Sequence, residues 1–155
     1  MQPVLNVEDI KAVETRLSDA GVSISELMHR AGGAAAQEVL RLGDVSRAVV
    51  LAGFGNNGGD GWVAAEELKA AGFWACASTE HATDDVWSAP LAGRVALVMG
   101  SEGEGISRLV LEKCDFACKL PQRGRVESLN VAQACTVMCY EWLRREMCGE
   151  GTRGV

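Results

Sequence analysis

The sequence lacks the features of a secreted protein, of a membrane-spanning protein, and of a protein that binds nucleic acid through a broad basic surface. No uninterrupted apolar run approaches the roughly 20 residues that span a bilayer. Residues 1–6 do not combine a basic region with an apolar core, so no secretory signal is predicted. Lys and Arg number 15 against 21 Asp and Glu, a formal net charge of −6. Because phosphate binding depends on cationic side chains, this charge argues against a broad basic surface. We therefore expect a cytoplasmic protein without membrane contact.

Residues that commonly bind metals or act as nucleophiles are few or poorly placed. The two histidines, His29 and His81, have no evident base or nucleophile partner in the sequence. Six cysteines without a secretory signal predict free thiols rather than disulfides. Four of them form pairs spaced four residues apart: Cys114 with Cys118, and Cys135 with Cys139. Zinc sites more often use closer pairs, so packing in the core is favoured and a metal site remains the alternative.

Short apolar segments alternate with amphipathic ones along a chain of 155 residues, which is long enough for one compact domain. The predicted strands are 48–52, 73–78, 94–99 and 116–120, and the predicted helices are 7–20, 24–42, 60–71, 105–112 and 128–147. This alternation predicts an α/β fold with three layers, a mainly parallel sheet of about four strands between flanking helices. Residues 149–155 are predicted to be a frayed tail.

Two helix starts and one helix face follow from the same pattern. Asp60 and Ser128 have side chains suited to capping the helices that start near them. The last helix is predicted to bury one side, which would carry Val131, Cys135, Met138, Tyr140 and Trp142.

A glycine-rich turn follows the first predicted strand, with the sequence Gly53-Phe54-Gly55-Asn56-Asn57-Gly58-Gly59-Asp60-Gly61. A strand that ends in glycines and opens a helix places backbone N–H groups at the positive helix terminus, where an anion can approach closely. Asn56, Asn57 and Asp60 add polar oxygens suited to a cation or a ribose. The alternative is a tight turn that binds nothing.

Residues 3–72 resemble the N-terminal half of the YjeF N-terminal domain, the NAD(P)HX epimerase family. The resemblance rests on the leading helix, on residues 26–32 and on the glycine turn. It implies a nucleotide-binding segment at 1–72. Its implied substrate-binding residues are Asn56, Asn57, Gly58, Gly59 and Asp60, and Asn57 would also bind a potassium ion. The family's catalytic acid–base pair has no counterpart after Gly72, so the resemblance implies binding without the catalyst.

A second loop, 100–105, follows the third predicted strand and contains the carboxylate of Glu102. Residues 119–130 add a proline turn and the polar Ser128-Leu129-Asn130. Two such turns at the ends of neighbouring parallel strands would form the ligand crevice of an open α/β sheet, although ordinary strand–helix turns are the alternative. The basic residues Lys119, Arg123 and Arg125 near this loop are either a solvated turn or a local phosphate contact.

Residues 68–145 resemble the C-terminal part of the SpoU (TrmH-type) RNA ribose 2′-O-methyltransferases of the SPOUT superfamily. The matches are 72–74, 98–106 and 120–131, which correspond to the second and third family motifs. The resemblance implies S-adenosylmethionine held by backbone around Gly100, Leu120 and Leu129, a tRNA or rRNA substrate, a C-terminal trefoil knot and a homodimer formed through the last helix. The residues that it implies at the cofactor site are Gly100, Glu102, Leu120, Ser128, Leu129 and Asn130, of which Glu102, Ser128 and Asn130 are also assigned to catalysis.

The first motif of that family is missing. It supplies an Asn and an Arg that activates the ribose hydroxyl, whereas this chain has residues 56–65 in that place, with Val63 roughly where the Arg would stand. We expect a SpoU-like segment at 73–148 that binds the cofactor and transfers methyl groups weakly or not at all. It would share one sheet with the epimerase-like segment. An epimerase-like nucleotide-binding protein and an inactive hybrid are the alternatives.

Overall fold

The computed structural model describes residues 6–53, 55–123 and 129–149. Within these ranges helices and strands alternate as the sequence predicts. The elements are α1 Val7–Asp19, α2 Ile24–Arg41, β1 Arg47–Leu51, α3 Asn56–Ala70, β2 Trp74–Ser78, β3 Val95–Met99, α4 Arg108–Lys113, β4 Phe116–Cys118 and α5 Val131–Met147. The predicted tail beyond residue 149 lies outside the described residues.

The four strands form one parallel sheet in the order β1-β3-β2-β4. The predicted parallel sheet is thus confirmed. Its strand order corrects one expectation, because the strands that precede the second and third loops, β3 and β4, are not neighbours. β2 pairs with both of them, so the residues that follow β2 lie between the two loops.

Each face of the sheet is covered by its own apolar cluster, which gives the three predicted layers. Alternate residues of a strand point to opposite faces. One face packs against α2, α3 and α4, through Ala36, Trp62, Leu68 and Val110 against Val50, Ala75, Ala77, Ala96 and Val98. The other face packs against α5 and the connection after β2, through Cys76, Val86, Ala89, Leu91, Val95, Leu97, Cys118, Met138 and Trp142.

The helices α2 and α3 pack closely through small residues. A Cβ atom on Gly32 would lie 2.5 Å from the Asp60 carbonyl oxygen and 2.6 Å from the Val63 Cβ. Val63 itself is buried, with 6% exposure. The residue that aligns roughly with the missing family Arg is therefore packed against α2 and does not face a ligand crevice. In contrast, α1 buries none of its residues.

Two predicted helix caps are wrong. Helix α3 begins one turn before Asp60, because Gly55 takes a φ of 80° and can end the preceding loop immediately. Helix α5 is capped by Asn130, whose side chain accepts from the backbone N–H of Ala132. Ser128, the predicted cap, lies outside the described residues.

The predicted buried face of α5 is correct for Met138 and Trp142 and wrong for Tyr140, which is 70% exposed. Tyr140 lies two positions from each of these buried residues. Two positions rotate a helical side chain about 200° around the axis, so Tyr140 must point away from the sheet when the other two point towards it. Val131 and Cys135 are half-buried.

Candidate cofactor site

A cavity of about 240 Å³ opens at the carboxyl edge of the sheet. Three strands and one helix contribute its walls. The lining residues are Ser78 to His81 after β2, Met99 to Gly105 after β3, Leu120 and Gln122 after β4, and Leu129, Val131 and Ala134 at the start of α5. The structure thus brings together Gly100, Glu102, Leu120 and Leu129, which the sequence assigned to one site from separate segments.

The loop after β3 closes on itself. Ser101 and Gly105 exchange two backbone hydrogen bonds, of 3.1 and 3.0 Å. A Cβ atom on Gly100 would lie 2.0 Å from the carbonyl carbon of Gly105, whereas Gly103 has open space around it. The absence of a side chain at Gly100 is therefore required by the loop itself, before any ligand is considered.

Glu102 and Asn130 connect this loop to α5. The Nδ2 of Asn130 donates a hydrogen bond to the Glu102 carboxylate. The Oδ1 of Asn130 accepts from the Ala132 N–H at 3.0 Å, so the same side chain caps the helix. One amide group thus ties the start of α5 to the wall of the cavity. Ser128 lies outside the described residues, so its predicted role remains a prediction.

Residues after β2 form a wall of the cavity that none of the sequence motifs indicated. The wall comprises Ser78, Thr79, Glu80 and His81. Thr79 donates its backbone N–H to the Cys118 carbonyl at 3.1 Å, which fixes this wall to β4. The Glu80 carboxylate lies 3.6 Å from His81 Nε2. All parallel strands end at the same edge, so the position of this segment after a strand was the available signal.

A second cavity, of about 280 Å³, adjoins the first. It shares Glu80, Leu120 and Gln122 with it. Asp85, Lys119 and Pro121 complete its lining. The segment after β4 therefore lines both cavities.

The first glycine loop lies beside this site, since a Cβ on Gly53 would lie 3.8 Å from the Ser101 Cβ, and Gly58 and Gly59 in this loop allow close packing. A Cβ on Gly58 would lie 1.6 Å from the Gly53 carbonyl oxygen, and one on Gly59 would lie 2.6 Å from Met28 Sδ. Burial, and then the Glu14 carboxylate, raises the pKa of Asp60. The side chains of Asn56 and Asn57 lie outside the described residues, so their predicted substrate and potassium contacts remain predictions.

The cysteines of the described segments are all free thiols. Cys76 and Cys118 are fully buried on adjacent strands with their Sγ atoms 3.5 Å apart, and the hydrogen bond between them, together with burial, raises the pKa of Cys76. Within 6–53, 55–123 and 129–149, no cluster of three or more His, Cys, Asp or Glu side chains is arranged to bind a metal ion. No helix in these ranges is long and apolar enough to cross a membrane.

A parallel α/β sheet with glycine loops and a crevice at the carboxyl ends of its strands defines a class of proteins that bind nucleotide-like ligands. Comparison with known proteins identifies the family. Residues 59–140, more than half of the chain, match the SpoU rRNA Methylase family, and the chain belongs to this family.

Two of the similar proteins are named as RNA methyltransferases. The chain is 42% identical over 80 residues to the 23S rRNA (guanosine-2′-O-)-methyltransferase RlmB of Vibrio cholerae, which covers 52% of this chain and 32% of that protein. It is 43% identical over 79 residues to the RlmB of Ralstonia nicotianae, which covers 51% of this chain and 32% of that protein. The chain thus spans about a third of the length of these relatives.

Solved structures agree with the family. The SpoU methyltransferase AviRb from Streptomyces viridochromogenes superposes with a TM-score of 0.50 at 30% identity, over 57% of this chain and 34% of that one. The A. aeolicus TrmH/SpoU tRNA modifying enzyme superposes with a TM-score of 0.50 at 30% identity, over 56% of this chain and 45% of that one. An RNA 2′-O ribose methyltransferase shows the same fold. It superposes with a TM-score of 0.51 at 22% identity, over 81% of this chain and 53% of that one. This fold is consistent with a C-terminal trefoil knot. None of these proteins supports the resemblance of residues 1–72 to YjeF.

Proposed function

We propose that this chain binds S-adenosylmethionine in the first cavity, as part of an RNA ribose 2′-O-methyltransferase whose methyl transfer is weak or absent. The proposal rests on the observation that one cavity is lined by all four of Gly100, Glu102, Leu120 and Leu129. These residues belong to two sequence motifs about twenty residues apart, and the matched family model spans residues of both.

The lining of the cavity fits this cofactor. S-adenosylmethionine supplies the methyl group and carries cationic sulfonium and amino groups beside an apolar purine. The carboxylates of Glu80, Glu102 and Glu104 suit the cations. Leu120 and Leu129 suit the purine.

The roles of this chain's own residues follow from their positions. Asn130 holds Glu102 and the start of α5 together. Glu102 would then orient the substrate at the mouth of the crevice. Among the described residues, no Arg or Lys lines the first cavity, so nothing there replaces the guanidinium of the missing motif. The substrate class that we propose is tRNA or rRNA, because the similar proteins are named for those RNAs.

A homodimer formed through α5 and a cytoplasmic location complete the proposal. Support for the dimer comes from apolar side chains on α5 that are exposed in the single chain. They are Val137, Tyr140, Leu143 and Met147, and they are between 42% and 79% exposed.

Calorimetric titration with S-adenosylmethionine, and separately with NADPH in potassium buffer, tests the proposal. We expect S-adenosylmethionine to bind and NADPH not to bind. The variant Asn130→Asp keeps an oxygen for the Ala132 N–H but places a carboxylate against Glu102, so it should weaken S-adenosylmethionine binding while α5 stays capped.

Other outcomes favour the alternatives. NADPH binding that depends on potassium and is lost in Asp60→Ala would support the epimerase-like nucleotide site at Asn56–Asp60. Binding of neither ligand would favour the inactive hybrid and overturn the proposed function.

A further inference from the structure

Trp87 is exposed on a turn whose backbone is held in place by hydrogen bonds. Its side chain is 68% exposed, although the neighbouring Val86 and Ala89 are almost fully buried, each with 2% exposure. Large aromatic side chains contribute most to stability when they are buried. A tryptophan that is left in solvent between two buried residues therefore needs an explanation.

Hydrogen bonds on both sides of Trp87 hold the turn. The Val86 N–H donates to the Lys119 carbonyl at 2.8 Å, and the Ser88 N–H donates to the Asp85 carbonyl at 2.9 Å. Arg145, which is 7% exposed, donates to the carbonyls of Val86 and Ala89 on both sides of Trp87. A buried guanidinium thus fixes the backbone that presents the indole. A rigid, exposed aromatic ring loses little entropy when a flat ligand stacks on it.

Trp87 lies next to residues that border the second cavity: Asp85, two positions before it, lines that cavity, and the N–H of the adjacent Val86 donates to the carbonyl of Lys119, which lines it too. Asp85 and Lys119 are also bridged as parallel neighbours. Arg123 follows three residues after Leu120 and is exposed. Lys119 lines the second cavity and supplies a cation that can contact a phosphate. The cavity shares a wall with the cofactor crevice, which places this region beside the reacting position.

We propose that Trp87, Lys119 and the second cavity form a subsite for an unpaired nucleotide of the RNA substrate, next to the nucleotide that would be methylated. This inference rests on the proposed function. Proteins bind single-stranded RNA by stacking bases on aromatic side chains and by contacting phosphates with nearby cations. The carboxylates of Glu80 and Asp85 on the cavity wall can accept hydrogen bonds from the amino groups of a base.

Fluorescence anisotropy with a labelled single-stranded RNA of about 12 nucleotides, in low salt and with saturating S-adenosylhomocysteine, tests the subsite. Trp87→Ala should weaken RNA binding about tenfold, because one stacked base is lost. Trp87→Phe should keep most of the affinity. Lys119→Ala should weaken binding and reduce its dependence on salt.

Trp74 supplies a matched control. It is 60% exposed, but it is the first residue of β2 and so lies at the opposite end of the strand from the cavities. Trp74→Ala should change RNA affinity by less than about twofold. S-adenosylmethionine binding to Trp87→Ala should equal that of the wild type. A wild-type protein that does not bind S-adenosylmethionine would instead contradict the proposed function.

Three results would overturn the subsite. The first is equal RNA affinity of Trp87→Ala and wild type. The second is a wild-type protein that binds S-adenosylmethionine but no RNA. The third is a lower sedimentation mass for Trp87→Ala, which would show that the indole contacts a second copy of the chain.

Discussion

At the scale of single residues, Gly100 and Gly103 occupy the same loop but have different room for a side chain. A Cβ on Gly100 would overlap the backbone of Gly105, and one on Gly103 would meet nothing within 4 Å. Gly100→Ala must therefore open the loop, at a cost of about 1–3 kcal/mol. We expect it to lower the thermal unfolding midpoint and to weaken S-adenosylmethionine binding.

Gly103→Ala is the matched control and should change stability by less than about 0.5 kcal/mol. Thermal unfolding with and without S-adenosylmethionine measures both variants. If Gly100→Ala unfolds at the wild-type temperature and binds S-adenosylmethionine as tightly, Gly100 does not pack against the Gly105 backbone in solution.

At the scale of elements, a buried ionic network attaches α5 to the connection after β2. Glu141 accepts from Arg144 at 2.9 Å and from Arg145 at 2.8 Å. Trp142 Nε1 donates to the Gly93 carbonyl at 2.9 Å, and Gly93 donates its N–H to Glu146. These contacts explain why a polar connection can pack as part of a core layer.

Glu141 gives this network a defined pH dependence. Hydrogen bonds from Arg144 and then Arg145, opposed by burial, lower the pKa of Glu141 from 4.5 to about 2. A lowered pKa stabilises the fold above the unfolded-state pKa, and the contribution is lost as the pH falls through about 2. We expect up to about 3 kcal/mol of the free energy of unfolding to disappear between pH 5 and pH 2.

Glu141→Gln should lower stability at pH 7 by about 3 kcal/mol, because it leaves the Arg145 charge buried without its carboxylate, and should remove this part of the pH dependence. Glu112→Gln is the control, since Glu112 pairs with Arg108 at the surface and its loss should cost less than about 0.5 kcal/mol. Urea unfolding of the wild type and of both variants across the pH range measures these differences in the free energy of unfolding. A wild-type curve parallel to that of Glu141→Gln would contradict the network's role.

The exposed side of α5 leads to a prediction about assembly. If α5 forms the dimer interface, Tyr140→Glu places a charge in an apolar contact and should shift the protein to a monomer. Because Tyr140 is 70% exposed in the single chain, the fold of that chain should be retained. Sedimentation equilibrium and circular dichroism measure the two effects. A wild-type monomer, or a dimeric Tyr140→Glu, would exclude this interface.

At the scale of the whole molecule, cofactor binding and catalysis are expected to separate. The ribose hydroxyl must lose its proton as it attacks the methyl group, and help with such a proton transfer contributes about 10²–10⁴-fold to a rate. The described lining of the crevice has no cationic side chain to stabilise the developing charge. We therefore expect purified protein with labelled S-adenosylmethionine and total tRNA and rRNA to incorporate label at or near background.

Incorporation well above background that is lost in both Glu102→Ala and Asn130→Ala would contradict this expectation. It would show that these two residues suffice without the first family motif. Incorporation that survives both changes would point to a contaminating enzyme.

Much of the fold could be predicted because its signals are local. Apolar residues in short runs or at helical spacing predict strands and helices, and all nine predicted elements are present with ends shifted by a few residues. The errors occur where a local preference competes with another. Asp60 is a good cap, but Gly55 can adopt a positive φ, so α3 starts earlier.

The sequence by itself determined which segments carry the glycine loops, which motifs point to the SpoU family, and that the loops share the carboxyl edge of a parallel sheet. Tertiary structure alone decided the strand order, and with it that Ser78 to His81 form a wall between the two loops. It also decided that Gly100 serves the closure of its own loop and that Trp87 remains exposed on a fixed turn. The physical reason is that these features depend on pairings between residues far apart in the chain, such as Arg145 with Val86, which local periodicity does not encode.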